Sequence, residues 1–206
     1  MTELLLQAQD IAVFRGEHCL FTGLNFDISA GEVLQLHGDN GSGKTSLIRA
    51  LCTLLPLEHG TISWRGVALP ASRDQYFSEM TYAGHTEAIK GDLSARENLH
   101  FTAELRGTAA TVDQVLAQVG LESRADLPCR SLSAGQRRRV TLARLQMTGA
   151  ALWILDEPLT SLDVHGRTLV EGLIVEHAQS GGAVIFTTHQ PLRLGGCEVK
   201  SLELCS

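Results

Sequence analysis

The sequence lacks any uncharged apolar run close to the ~20 residues that a helix needs to cross a bilayer. Its first three residues, Met1-Thr2-Glu3, also lack the basic region with which a secretory signal peptide begins. We therefore expect any work at a membrane to depend on docking to another protein.

Positive charge is scarce as well, with 17 Lys and Arg residues against 23 Asp and Glu residues and a formal net charge of −6. A chain this acidic is not expected to be held on nucleic acid by bulk electrostatics. No C-x-x-C motif occurs among the five scattered cysteines, Cys19, Cys52, Cys129, Cys197 and Cys205. This spacing favours reduced cytosolic thiols over a disulfide framework or a zinc site.

The length of 206 residues is typical of one α/β domain and is enough to bury a sizeable core. Apolar and polar residues alternate over residues 4–30, which predicts half-buried strands of an antiparallel layer. Residues 60–66 predict one strand of a hairpin, whereas residues 67–80 give no clear pattern. No internal repeat, low-complexity segment or linker is present.

The motif that organises the chain is Gly38-Asp39-Asn40-Gly41-Ser42-Gly43-Lys44-Thr45, which matches the phosphate-binding pattern G-x-x-x-x-G-K-[ST]. A strand-like segment, residues 33–37, precedes it, and apolar residues at helical spacing follow it as far as Pro56. This context disfavours a chance match. Glycines let backbone N–H groups approach phosphate oxygens, and the helix start, which includes Ser46, adds its positive dipole end.

Within this motif, Lys44 is expected to reach the β- and γ-phosphates of a nucleotide, and the Thr45 hydroxyl to ligate Mg²⁺. The predicted cofactors are therefore ATP and Mg²⁺.

Helix start signals cluster in the second half of the chain. Three segments have the form of a capping box, beginning at Ser94, Thr111 and Ser133, and each is followed by apolar residues at helical spacing. A helical stretch over residues 86–145 is therefore predicted to interrupt an α/β core formed by residues 1–85 and 146–206. Residues 169–178 predict a further helix, which Gly181-Gly182 ends.

Two carboxylates, Asp156 and Glu157, follow the apolar run Ala151-Leu152-Trp153-Ile154-Leu155, which is typical of a buried parallel strand. Ligands of open α/β sheets bind at the carboxyl ends of such strands. Asp156 is expected to hold Mg²⁺ directly or through water, and Glu157 to accept a proton from, or orient, the water that attacks the γ-phosphate. A solvated strand end is the alternative, and the nearby phosphate loop disfavours it.

The segment Leu132-Ser133-Ala134-Gly135-Gln136 combines a helix N-cap with a turn of small residues, so it also offers a serine hydroxyl and open backbone amides to an anion. It resembles the signature motif of ATP-binding cassette (ABC) ATPases, with Ala134 where glycine is commonest. The following Arg137-Arg138-Arg139 also suits that family. The resemblance implies a phosphate-loop NTPase of the ABC ATPase fold, with an N-terminal antiparallel β-layer and an inserted helical subdomain.

Other family elements follow in order, so that the resemblance covers essentially the whole chain. Ser161-Leu162-Asp163 resembles the loop that couples two sites across a dimer, and His189, after the predicted strand at residues 183–186, resembles the histidine that contacts the γ-phosphate. Each chain has one phosphate loop and one signature. We therefore expect a homodimer in which Ser133, Gly135 and Gln136 of one copy cover the nucleotide of the other.

Two positions depart from the family pattern. His85 stands where a glutamine usually contacts Mg²⁺, and histidine suits that role less well because Mg²⁺ prefers oxygen ligands. The aromatic residue that stacks on adenine falls near Phe14 or Arg15, and the sequence leaves open which of them it is.

Within the family, several segments resemble the ATPase of the bacterial cytochrome c maturation (Ccm) system, such as Glu97-Asn98-Leu99-His100-Phe101 and Thr187-Thr188-His189-Gln190-Pro191. This resemblance implies an integral membrane partner like CcmB, associated haem-handling proteins, and a peripheral location on the cytoplasmic face of the bacterial inner membrane. Alternatives are an ABC ATPase for another transported substrate, a soluble ABC ATPase acting on DNA or ribosomes, and a phosphate-loop kinase or nucleotide switch.

Overall fold

The computed structural model describes residues 2–16, 18–84, 86–108 and 111–204. Its strands are β1 (Leu4–Arg15), β2 (His18–Ser29), β3 (Val33–His37), β4 (His59–Trp64), β5 (Val67–Ala68), β6 (Met80–Ala83), β7 (Leu152–Asp156), β8 (Ala183–Thr187) and β9 (Val199–Glu203). Its α-helices are α1 (Lys44–Leu51), α2 (Leu69–Glu79), α3 (Ala95–Arg106), α4 (Val112–Gln118), α5 (Ala134–Gln146) and α6 (Val164–Gln179).

The N-terminal half forms a four-stranded antiparallel sheet in the order β2-β1-β4-β5. Leu6 on β1 lies opposite Ile28 on β2 and Trp64 on β4, and all three side chains are buried. The predicted antiparallel layer is therefore confirmed. The predicted hairpin is also confirmed, because β4 pairs with β5 through Ser63 and Trp64.

A second sheet, entirely parallel, has the order β6-β7-β8-β3-β9. Every residue of β7 and β8 is buried, as the continuous apolar runs predict. Because parallel strands end at a common edge, the segments that follow β3, β7 and β8 meet there. This edge brings the phosphate loop, Asp156-Glu157 and His189 together.

Three hydrophobic clusters hold these layers. The first joins the antiparallel layer, α1 and one face of the parallel sheet, through residues such as Leu6, Ile48 and Ile154. The second packs α6 on the opposite face, where Trp153 and Phe186 point. The third lies among α3, α4 and α5. Within the described ranges, no helix has both the length and the apolar character that crossing a bilayer requires.

Two of the three predicted capping boxes form. The Ser94 hydroxyl accepts a hydrogen bond from the N–H of Glu97, and the Ser133 hydroxyl accepts one from the N–H of Gln136. The box predicted at Thr111 is wrong, because the Thr111 side chain accepts no such bond. The backbone differs as well: ψ is 167° at Ser94 and 161° at Ser133 but only 114° at Thr111, so the N–H groups of the first turn are placed differently relative to the capping residue.

Other boundaries also differ from the predictions. The helix after the phosphate loop ends at Leu51 rather than at Pro56, since the chain turns through Thr53 with a positive φ of 55°. Helix α2 occupies the segment that gave no pattern. Helix α6 begins at Val164, five residues before the predicted start at residue 169. The Asp163 carboxylate caps this end by accepting a 2.7 Å hydrogen bond from the N–H of Gly166.

Candidate nucleotide site

The phosphate loop connects β3 to α1 and is shaped by glycines that no other residue could replace. Gly38 has a φ of 138°, and a Cβ there would lie 2.5 Å from the Ser42 hydroxyl and 2.7 Å from the carbonyl oxygen of Leu204. Gly43 has a φ of 97°, and its Cβ would press on the Phe21 ring at 3.2 Å. Both positions therefore require glycine for conformation and for space.

The ammonium group of Lys44 folds back over this loop and donates hydrogen bonds to the carbonyl oxygens of Gly38 at 2.6 Å and Asp39 at 2.8 Å. Inside the loop, the Ser42 hydroxyl is buried and has no hydrogen-bond partner among the described residues. The loop thus holds a positive charge and an unsatisfied polar atom beside the amides at the start of α1. This donor set fits a phosphate group.

A cavity of about 240 Å³ opens beside the loop. Its lining comes from the loop, the start of α1 and the ends of β7 and β8, and consists of Leu20, Asn40, Gly41, Gly43, Lys44, Thr45, Ser46, Asp156, Glu157, Thr187 and His189. The structure therefore brings together most of the residues predicted for phosphate, metal and catalysis. Leu20 and Thr187 were not assigned a role from the sequence.

At the end of β7, Asp156 is buried and its Oδ1 accepts a 2.7 Å hydrogen bond from the Thr187 hydroxyl. The same hydroxyl accepts a 3.0 Å bond from the N–H of Glu157. The other Asp156 oxygen, Oδ2, makes no hydrogen bond to a described residue. Thr187 thus fixes the carboxylate and the following peptide in one arrangement.

Glu157 adopts the left-handed backbone region, with a φ of 51°, which is uncommon for a residue with a side chain. Its Oε1 is buried, makes no hydrogen bond to any residue that the structure describes, and lies 3.5 Å from Nε2 of His189. Its Oε2 accepts a 3.4 Å bond from the N–H of His189. Glu157 and His189, the two residues assigned to catalysis from the sequence, are therefore in contact with each other and both line the cavity.

The comparisons with known proteins agree on one family. The ABC transporter family model matches residues 21–160. The chain is 47% identical over 199 residues to the cytochrome c biogenesis ATP-binding export protein CcmA of Nitrosococcus oceani, covering 97% of this chain and 91% of that protein. It is 44% identical over 200 residues to the CcmA of Escherichia coli K12, covering 97% and 96%.

The chain belongs to the CcmA family of ABC transporter ATP-binding proteins. The fold also matches a putative ABC transporter ATP-binding protein from Pyrococcus furiosus, with a TM-score of 0.81 at 24% identity over 97% of this chain and 96% of that one. That likeness bears on the fold alone.

In this CcmA-family chain, the predicted signature residues lie outside the cavity. Ser133, Gly135 and Gln136 are at the start of α5 and do not line the wall around the phosphate loop. Instead, the turn packs on the loop that follows β7: a Cβ on Gly135 would lie 3.0 Å from the carbonyl oxygen of Ser161. Ser133 is exposed and Gln136 is half-buried, and their side chains are engaged in the capping box at the start of α5.

The structure describes one of the two positions that depart from the family pattern, Phe14, but not the other, His85. Phe14 lies near the end of β1 opposite Cys19, is 38% exposed, and does not line the cavity. Leu20, on the neighbouring strand β2, occupies the cavity wall instead. His85 lies outside the described residues.

The site fits Mg²⁺ only together with a bound phosphate. Among the described residues, no group of three or more His, Cys, Asp or Glu side chains is placed to hold a metal ion. Asp156 and the Thr45 hydroxyl are both in the cavity wall, and Asp156 Oδ2 is unengaged. One carboxylate, one hydroxyl and substrate phosphates are the ligands that Mg²⁺ commonly takes in nucleotide enzymes.

Two titratable side chains near Asp156, Cys52 and Tyr82, have raised pKa values. Burial, with a contribution from the Asp156 charge, raises the pKa of the Cys52 thiol to about 12. Burial and then Asp156 also raise the pKa of Tyr82. Cys52 and Tyr82 therefore stay a thiol and a phenol at neutral pH and add no negative charge of their own beside Asp156.

Proposed function

We propose that this ABC-type ATPase supplies the energy for a membrane complex of cytochrome c maturation, coupling ATP hydrolysis to haem delivery or to release of a haem chaperone. The assignment rests on relatives named as cytochrome c biogenesis ATP-binding export proteins, 47% and 44% identical over nearly the full length of both chains. An ABC ATPase subunit for another substrate is the alternative.

The proposed chemistry is the hydrolysis of ATP by water. In this proposal, Gly38 to Lys44 cradle the phosphates, and Thr45 and Asp156 would hold Mg²⁺, which when bound would supply positive charge to the phosphates. Glu157 orients the attacking water or accepts its proton, and His189 contacts the γ-phosphate. Water oxygen then bonds to the γ-phosphorus as the bond to the β-phosphate oxygen breaks, leaving ADP and inorganic phosphate.

The proposal includes a homodimer that closes on two nucleotides. The support is geometric: Ser133 is exposed and Gln136 half-buried at the start of α5, and neither lines its own chain's cavity. A second copy facing the first would place these groups over the γ-phosphate. We assign the nucleotide-binding core to residues 1–85 and 146–206 of a single domain and the signature subdomain to residues 86–145.

In this scheme, the chain acts at the cytoplasmic face of the inner membrane by docking to an integral membrane subunit like CcmB. Rotation of the signature subdomain moves that partner, through the region between residues 85 and 93.

Two assays test the proposal. Phosphate release from ATP without any added acceptor should occur with the wild-type chain and fall by about a hundredfold or more in Glu157→Gln. The chain should also restore haem-bearing c-type cytochromes in an Escherichia coli strain whose own CcmA has been deleted, and Glu157→Gln should not. Hydrolysis without restoration of cytochromes would favour another substrate, whereas phosphate transfer only to an acceptor would indicate a kinase.

A further inference from the structure

Arg138, on the second turn of α5, is a buried arginine that is only 3% exposed. Its guanidinium donates hydrogen bonds to four backbone carbonyl oxygens: those of Gly84 at 2.8 Å, Glu157 at 2.8 Å, Pro158 at 3.2 Å and Asp156 at 3.4 Å. One side chain thus reaches the end of β7, the turn that follows it, and the segment after β6.

Burying the Arg138 guanidinium among backbone carbonyls costs free energy because the group leaves water. In the part of the chain that the structure describes, no carboxylate forms an ion pair with Arg138, and burial lowers the pKa of its guanidinium. The free-energy cost of burying this charge must be offset by its hydrogen bonds, and here all of those bonds go to backbone carbonyl oxygens. The planar fork of five donors can satisfy several carbonyls at once, which a lysine ammonium cannot match in reach or geometry.

Three of the four carbonyls that Arg138 binds, those of Asp156, Glu157 and Pro158, belong to the turn that aims Glu157. That turn includes the left-handed backbone of Glu157, a strained conformation that persists only where neighbours hold it. Thr187 holds the N–H of Glu157 from one side, and Arg138 holds the carbonyl of the same residue from the other. The peptide groups on both sides of the Glu157 Cα are therefore fixed.

The helix that carries Arg138 is also the helix that begins with the signature segment. The preceding residue, Arg137, donates a 2.7 Å hydrogen bond to the Glu87 carboxylate, so α5 is bound to both Gly84 and Glu87. Arg138 therefore links the helix that carries the signature segment directly to the carbonyl of Glu157.

We propose that Arg138 is a positioning residue for hydrolysis: it holds the Glu157 turn in its strained conformation and ties the orientation of Glu157 to the position of α5. It does not line the nucleotide cavity, so it acts through Glu157 and not on ATP itself. The inference rests on the proposed ATP hydrolysis at this site.

The test separates orientation from binding and from folding. In full-length protein, Arg138→Met should lower kcat for phosphate release by about tenfold or more, because small displacements of a catalytic group slow chemistry strongly. Its affinity for a fluorescent ATP analogue should stay within about twofold of wild type, since the phosphate loop is untouched. Arg138→Lys, which keeps the charge and part of the hydrogen bonding, should recover part of kcat without changing affinity.

Arg144→Met is the matched control. Arg144 lies on the same helix, burial likewise lowers its pKa, and its Nε donates a 3.0 Å hydrogen bond to the Thr102 hydroxyl, within the helical subdomain. It should keep kcat within about twofold of wild type even where it lowers the melting temperature as much as Arg138→Met does.

The inference is overturned if folded Arg138→Met keeps its kcat, if its nucleotide affinity falls together with kcat, or if Arg144→Met slows hydrolysis equally. Where Arg138→Met does not fold, Arg138→Lys decides: a wild-type kcat contradicts the inference, and a reduced kcat at unchanged affinity supports it. Failure of the proposed function would look different, because the wild-type chain would then release no phosphate or Glu157→Gln would be fully active.

Discussion

The hydroxyl of Thr187, at the end of β8, donates a 2.7 Å hydrogen bond to the buried carboxylate of Asp156, at the end of the neighbouring strand β7. Because the two strands are parallel and the two residues are in register, this bond fixes the direction of the Asp156 carboxylate relative to the sheet. The remaining oxygen, Oδ2, is left for a cation.

Replacing Thr187 by valine keeps the shape of the side chain but removes both of its hydrogen bonds. Thr187→Val should lower the free energy of unfolding by about 1–3 kcal/mol, because it leaves a buried carboxylate oxygen and the N–H of Glu157 unpaired. It should also raise the Mg²⁺ concentration needed for half-maximal phosphate release. Urea denaturation and a Mg²⁺ titration measure these effects, and Thr187→Ser, which keeps the hydroxyl, should be close to wild type. Equal behaviour of the valine and serine variants would contradict this account of Asp156.

The two capping boxes of the helical region separate stability from function. Ser94→Ala and Ser133→Ala each remove the hydrogen bond that the serine hydroxyl accepts from the backbone N–H three residues later, and each should cost about 1 kcal/mol of stability. Only Ser133→Ala should also slow ATP hydrolysis, because only that serine is proposed to cover the nucleotide of a second copy. Thermal unfolding and phosphate release, measured on both variants, check this. Equal loss of hydrolysis in both would show that Ser133 acts only as a cap.

The sequence predicted the parallel core, and the phosphate loop and two carboxylates that meet at its edge, because each depends on a local pattern. The phosphate loop is contiguous, and the run before Asp156 is uniformly apolar. Helix α2 was not predicted because it buries only Leu69, Ser72 and Tyr76. So few buried positions do not give the helical periodicity of apolar residues on which the prediction depends.

What the sequence could not supply are relationships between distant segments. Nothing local marks Leu20 as part of the cavity wall or Thr187 as the partner of Asp156. The sequence also gives no sign that Arg138 is buried, because three consecutive arginines are typical of a solvated helix face. Only the packing of α5 against the ends of β6 and β7 shows that the middle one is buried.

A pH effect follows from His177 on α6, whose ring stacks on Trp153 with the ring centres 3.9 Å apart. Burial lowers the pKa of His177 from 6.5 to about 4 in the folded chain. The unfolded chain therefore binds a proton that the folded chain does not between those values. The contribution of neutral His177 to the free energy of unfolding is complete above about pH 6.5. It is lost as the pH falls towards 4, at a rate of at most about 1.4 kcal/mol per pH unit.

His177→Phe keeps an aromatic ring on Trp153 but cannot take up a proton. Urea denaturation at several values between pH 4 and pH 8 should show a shallower loss of stability for this variant than for wild type. The carboxylates titrate in both proteins, so the difference between the two slopes isolates His177. Parallel slopes would refute a buried, neutral His177.

The most direct test of the central claim, an ATP site shared between two copies, is light scattering of Glu157→Gln beside wild type with ATP and Mg²⁺. Loss of the Glu157 carboxylate should slow hydrolysis and trap the closed state. We expect the variant to shift from monomer to dimer when ATP is added, while wild type, which hydrolyses its nucleotide, does not accumulate a dimer. A variant that binds ATP yet stays monomeric, both alone and with its membrane partner present, would contradict the shared site.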